Sequence, residues 1–403
     1  VSRGENLGPF QRVYNALGFH SSSAKSPVGR NRRVIHFHFA GVDPRGGPGG
    51  RQCRAARQHA EGVLAAGDRD RPGVGFHRMK AQKNLTERAM ARIPAVAEAV
   101  FASDGLTLFL GAGINADKAP LWKDFLRELW DYAVKIGISP TDRKDSTDNV
   151  AKWIFNSNLF SLYEKASIIK ILLGPDRYRL AIRKILYGKL KNKPAKLLES
   201  VAALCRSGRV QSVVTFNYDE LLEYRISKTK NITVHHVHGV IPDVKYKSHA
   251  TEEIVLSMDE YFHNMAKPFS WQTAIQLNAL TGSPCLFVGT SLTDINMLRL
   301  LTYARDEKRA GRIFALLAKE EYSKKVENEM KKLPPNAGTL GKINKKQWIK
   351  EAVRFAARAK ASLLQDLEVE MIMVESYVDL PVWVMNLART VKRNNKNRKG
   401  KKK

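Results

Sequence analysis

Cysteine is scarce in this sequence: Cys53, Cys205 and Cys285 are the three in 403 residues, far apart and forming no C-x-x-C pair. Neither a disulfide framework nor a thiolate zinc site is indicated, and a reducing cytoplasm fits. Long hydrophobic runs are missing too. No stretch reaches the roughly 18 apolar residues that a membrane-crossing helix needs, so no membrane partner is expected. No internal repeat is present, which argues against a solenoid or propeller. Acidic residues are few against basic ones, 39 against 68, leaving a net charge of +29. That excess raises nucleic acid as a partner, because Lys and Arg neutralise phosphates and release counterions.

The charge is concentrated at the two ends. Residues 1–78 hold 13 basic and 5 acidic residues, and the last twelve, "KRNNKNRKGKKK", hold 8 basic and none acidic; together they supply 16 of the 29 charges. The first 78 residues use Arg almost exclusively, with Lys25 the exception, and carry Gly/Pro clusters such as "DPRGGPGGR" without a helix or strand period. They read as an unstructured or non-native upstream segment, or as an Arg-rich transit peptide. Met79 opens a well-patterned helical stretch and is the expected natural start. Residues 391–403 read as a basic disordered tail, either simply solvated or available to a polyanion such as nucleic acid.

What is there in plenty, with 43% hydrophobic residues, is enough apolar content for a proper core between 79 and 390. Buried strands are expected at 106–110 (LTLFL), 210–216 (VQSVVTF), 232–237 (ITVHHV), 285–289 (CLFVG) and 312–317 (RIFALL). Helical patterns separate them, notably at 122–136, 158–173, 177–190, 194–206, 294–306 and 346–366. Strands alternating with helices predict an α/β fold, a Rossmann-like doubly wound parallel sheet. The helical stretch of about 122–206 is too long for one crossover and reads as an inserted subdomain.

In such a sheet, ligands sit beyond the carboxyl ends of the strands. The residues that follow each run are Gly111-Ala112-Gly113-Ile114-Asn115, then Thr215-Phe216-Asn217-Tyr218-Asp219, then His238-Gly239, then Gly289-Thr290-Ser291-Leu292. Each has an ordinary alternative. The glycines could end a strand in a plain turn. Asn217 and Asp219 could cap the helix "YDELLEYRI". Thr290 or Ser291 could cap the one after "GTSL". The histidines of "VHHVHG" could suggest a metal, but neighbours in a strand point to opposite faces, and a lone His more often hydrogen-bonds than ligates.

Taken together and in this order, these four segments resemble the sirtuin-like NAD-binding family, with its G-A-G loop, T-x-N-x-D segment, H-G dipeptide and G-T-S-L turn. The stretches "IVLSMDEYFHNM" (254–265) and "LFVGTSLTDINMLRLL" (286–301) look like the prokaryotic branch of the family that occurs in antiphage defence. The resemblance covers about residues 95–320. It implies that Gly111, Ala112 and Gly113 line the pyrophosphate of NAD. Asn217 and Asp219 would hold the nicotinamide ribose and the position of the nucleophile, His238 would act as base, and Gly289, Thr290 and Ser291 would sit on the adenosine side. Asn115 and Thr215 complete the implied cofactor-binding set.

Departures from the family pattern are equally specific. Deacylating sirtuins usually carry a four-cysteine zinc module after the H-G dipeptide, and here 240–284 has no cysteine. No zinc is therefore expected. The peptide groove that such a module helps to build is in doubt, and water becomes the expected acceptor. Asn115 stands where many members have Ser, and Lys118-Ala119-Pro120 where they have Gly-Ile-Pro or Gly-Leu-Pro. The resemblance thus implies a cytoplasmic NAD+ hydrolase of antiphage defence, with NAD as substrate. An uncontrolled NAD+ hydrolase would kill its host, so gating by homo-oligomer assembly or by a partner such as a HerA-type hexameric ATPase is implied as well. A protein deacylase or ADP-ribosyltransferase, and an NAD or ADP-ribose sensor that binds nucleic acid, are the rival readings.

Overall fold

A computed structural model describes residues 84–137, 153, 157, 159–188, 195–229, 232–243, 254–267, 270–307, 311–332 and 345–400, all within one unit, Met79–Lys403. The upstream segment 1–78 and residues 401–403 lie outside the described residues.

All five apolar runs form strands: β1 (Leu106–Leu110), β2 (Val210–Thr215), β3 (Thr233–His236), β4 (Cys285–Val288) and β5 (Ile313–Ala318). β1, β4 and β5 are buried at every position, as expected of parallel strands covered on both faces. A sixth strand, β6 (Val369–Val374), was not anticipated. Every pairing is parallel and the order is β3-β2-β1-β4-β5-β6. This is the doubly wound, Rossmann-like order, and its direction reverses between β1 and β4.

The helices are α1 (Leu85–Met90), α2 (Ile93–Ala102), α3 (Trp122–Lys135), α4 (Leu162–Gly188), α5 (Lys196–Cys205), α6 (Leu221–Ile226), α7 (Met258–Ala266), α8 (Trp271–Gly282), α9 (Ile295–Asp306), α10 (Lys319–Lys332), α11 (Lys345–Asp366) and α12 (Asp379–Gly400). None of them is long and apolar enough to cross a membrane. Alternation along the strands divides the core in two. Leu106, Leu108, Leu110, Leu286, Val288, Phe314 and Leu316 pack with α2, α5 and α12 on one face. Phe109, Cys285, Phe287, Ala315 and Leu317 pack with α8, α9 and Leu364 of α11 on the other. There the rings of Phe109 and Phe287 stack across β1 and β4 with centroids 4.5 Å apart.

A third core belongs to the insertion. Phe125, Leu126, Leu129 and Trp130 of α3 pack on Ile169, Tyr178 and Ile182 of α4, and Tyr218, Ile241 and Leu256 join them. The insertion therefore rests on loops that follow β2 and β3. α4 breaks at Gly174 (φ +69°), with Pro175 next, which accounts for the two helical patterns expected there. The insertion is shorter than the expected 122–206. α5 buries Leu197, Leu198, Val201, Ala202 and Cys205 in the sheet core instead.

The carboxyl-terminal tail also differs from expectation, because α12 runs on to Gly400. Leu380, Trp383, Val384, Leu387, Ala388 and Val391 recur at helical three-and-four spacing, and all are buried. That stripe carries the helix into the basic run, where Asn395 donates to the Ser207 carbonyl (3.2 Å) and Arg398 to the Phe101 carbonyl (3.1 Å).

Candidate active site

The reversal between β1 and β4 brings the loop after β1 against the loop after β4. Gly113 N–H donates to the Gly289 carbonyl (2.8 Å) and Gly111 N–H to the Val288 carbonyl (3.1 Å). A Cβ on Gly113 would stand 2.7 Å from Gly289 O, and one on Gly289, whose φ is +70°, 2.5 Å from Ile114 N. The immediate reason for these glycines is thus close packing of two strand-end loops. Ala112–Asn115 then winds into a 3-10 turn that buries Asn115.

The Asn115 carboxamide donates to both oxygens of Asp219, at 3.3 and 3.4 Å. Asp219 Oδ1 also accepts the Leu221 N–H (3.2 Å), so the carboxylate does hold the start of α6. Burial pushes its pKa up to about 6, against that N–H bond; the Glu223 charge adds to the rise and His236 opposes it. Asn217 does not cap α6. Its Oδ1 is buried without a partner, as is Asn115 Oδ1. Two carboxamide oxygens left unsatisfied at the ends of neighbouring strands are costly unless something polar meets them.

The other expected residues take local roles. Thr215 Oγ1 donates to the Leu110 carbonyl (3.4 Å) and accepts the Asn217 N–H (3.1 Å), tying β2 to β1 at the turn. Thr290 Oγ1 accepts the Leu292 N–H (3.3 Å), and Ser291 bonds Thr293 (2.8 Å). Neither caps α9. That cap is Asp294, which accepts the Met297 N–H at 2.8 Å. His238 lies against Phe216, ring centroids 5.2 Å apart, and its main-chain carbonyl accepts the Val255 N–H. Burial pulls its pKa down, partly opposed by the charge of Asp294.

Sequence reasoning missed two groups here. His236, from the same histidine-rich strand, bridges Glu223 of α6 (2.5 Å) and the Asn217 carbonyl (2.8 Å). Asp294 accepts hydroxyls from Tyr261 (2.7 Å) and Tyr163 (3.2 Å) as well as capping α9. The only sequence signals were a Glu four residues after Asp219 and an Asp just past the "GTSL" turn. Among the described residues no three His, Cys, Asp or Glu side chains gather as metal ligands.

A doubly wound parallel sheet with polar residues at its strand ends defines a Rossmann-like α/β protein, a class in which ligands sit at the switch point. Residues 211–334 match the SIR2-like domain family, a similarity that covers about a third of the chain. The match runs from β2 past α10 and includes Thr215, Asn217, Asp219, His238, Gly289, Thr290 and Ser291, whereas the Gly111–Asn115 loop precedes it. SIR2-like domains bind NAD and are typically NAD-dependent enzymes, and the match suggests an NAD-related function. No curated protein matches the chain.

Proposed function

We propose that the protein is an NAD+ glycohydrolase that splits NAD+ with water into nicotinamide, ADP-ribose and a proton. The observation that carries this reading is two buried, unpartnered carboxamide oxygens at strand ends, that of Asn115, whose amide meets the Asp219 carboxylate, and that of Asn217, two residues before Asp219 in the chain. Breaking the ribose–nicotinamide bond sends its electron pair to the nicotinamide nitrogen and leaves positive charge on the ribose. Fixed oxygen dipoles and a carboxylate stabilise such charge in a dry crevice. His238, kept neutral by burial, can take the proton from the incoming water.

The lack of cysteine in 240–284 favours water over a protein acceptor. The resemblance of 254–265 and 286–301 to antiphage proteins supports a role in bacterial defence, with activity gated by homo-oligomer assembly or a HerA-type ATPase. The same reading puts the enzyme in the cytoplasm, where Cys205 and Cys285 stay reduced. It keeps nucleic acid as a partner for the basic end of α12.

Nicotinamide release from NAD+ tests it, with the protein alone and with its partner. Asn217→Ala should cut turnover by about 100-fold or more, the usual cost of removing one preorganised polar group. NAD+ that binds yet survives under every condition, with Asn217→Ala merely weakening affinity, would instead support a sensor.

A further inference from the structure

We propose that His236 is a positioning residue that sets the Asn217 main chain, and hence the aim of its carboxamide, through a bridge to Glu223. The inference rests on the hydrolase reading and adds a pH control to it. His236 ends β3 and is almost fully buried, at 8% exposure. One ring nitrogen, Nδ1, lies 2.8 Å from the Asn217 carbonyl and the other, Nε2, 2.5 Å from Glu223 Oε1. Both partners are acceptors, so only the doubly protonated ring donates to each of them. The Asn217 N–H is already taken by Thr215 Oγ1, so these two bonds fix both sides of the residue whose Oδ1 is left free.

The charged groups that face His236 are Glu223 on α6, Asp219 in the turn after β2, and His235, its neighbour in β3. Burial alone would pull the His236 pKa down, but the hydrogen bond and charge of Glu223, with the Asn217 carbonyl and the Asp219 charge, together outweigh it, and the net direction is up from 6.5. As pH rises through that raised value the ring keeps one N–H for two acceptors. The charged Glu223 holds it, and the Nδ1 lone pair then opposes the Asn217 carbonyl. NAD+ turnover should fall on the alkaline side for this reason, while substrate binding elsewhere in the crevice is unaffected.

Two amide substitutions separate the halves of the bridge. His236→Asn places a donor where Nδ1 was and spares the bond to Asn217; His236→Gln places one where Nε2 was and spares only Glu223. The Asn variant should stay within about 3-fold of wild-type kcat and lose the alkaline fall. The Gln variant should lose about 10- to 100-fold in kcat with little change in KM, as a displaced catalytic group does. Equal activities for the two variants, or a wild-type pH profile in both, would overturn the inference. Magnetic-resonance titration of the His236 ring keeps the test independent of turnover. Asn217 signals should follow that titration, and Glu223→Gln should lower its midpoint. If the wild type hydrolyses no NAD+ either alone or with its partner but Asn217 follows His236, the hydrolase reading fails and the bridge stands. If Asn217 ignores His236, the bridge fails.

Discussion

A carboxylate buried against one carboxamide and one main-chain N–H is poorly compensated for the water it has lost, and Asp219 is in that position. Its folded-state pKa of about 6 lies above the ordinary 3.8, so the folded chain binds that proton more tightly than the unfolded one. Stability from this group is therefore gained as pH falls through 6, and above that the buried charge costs on the order of 1–3 kcal/mol. Asp219→Asn keeps the size and an acceptor for both donors while removing the charge. Thermal melts should show the variant more stable than wild type at pH 8, by several degrees, with the gap closed near pH 4, and NAD+ turnover reduced. An unchanged melt at pH 8 would mean that the carboxylate is better solvated than its surroundings indicate. Asn115, Asn217 and Asp219 were legible in the sequence because each follows a strand end, where a parallel sheet presents its ligands. His236 was not. Its partner Glu223 lies 13 residues earlier, and the two meet only when the fold brings α6 to the end of β3.

Three separate elements converge on a single carboxylate at the next scale. Tyr163 at the start of α4 and Tyr261 of α7 both donate to Asp294, the cap of α9, and Asp294 is the charge that faces His238. The inserted helix is thereby linked to the histidine through one side chain. Asp294→Asn should leave α9 capped, since Asn serves there as well as Asp, but it removes the charge that holds the His238 pKa up. A base must be neutral to act, so the acid side of the kcat/KM profile should move to lower pH, by up to about one unit. If it stays in place, His238 is not the base. The elements themselves were readable where apolar period and length agreed, as in β1 and α3. β6 escaped because "VEMIMV" puts Glu370 inside a short run that follows a long helix. α12 was misjudged from residue 391 on because its local charge argued for disorder, while all of the apolar stripe but Val391, from Leu380 to Ala388, lies ahead of that window.

At the scale of the whole molecule the parallel sheet has two unlike ends, and the two halves of the functional reading fall on different ones. The residues proposed to meet NAD follow the carboxyl ends of the strands. The basic end of α12 is anchored beside the amino ends: Asn395 bonds Ser207, just before β2, and Arg398 bonds Phe101, just before β1, and lies over its ring at 4.6 Å. A polyanion held there would leave the crevice open. Deleting residues 392–403 would be a poor test of such binding, because it removes Asn395 and Arg398 along with the charge. Lys392, Arg393 and Lys396 are exposed and can be neutralised without touching those anchors. Changing all three to Gln should weaken DNA binding and reduce the slope of log K against log salt by about 2 to 3, near 0.9 for each phosphate that is no longer neutralised. Melting temperature and NAD+ turnover should stay at wild-type values. A triple variant that binds DNA as well as wild type at every salt concentration would remove Lys392, Arg393 and Lys396 from any nucleic-acid contact, and their charge would then be a matter of solvation alone.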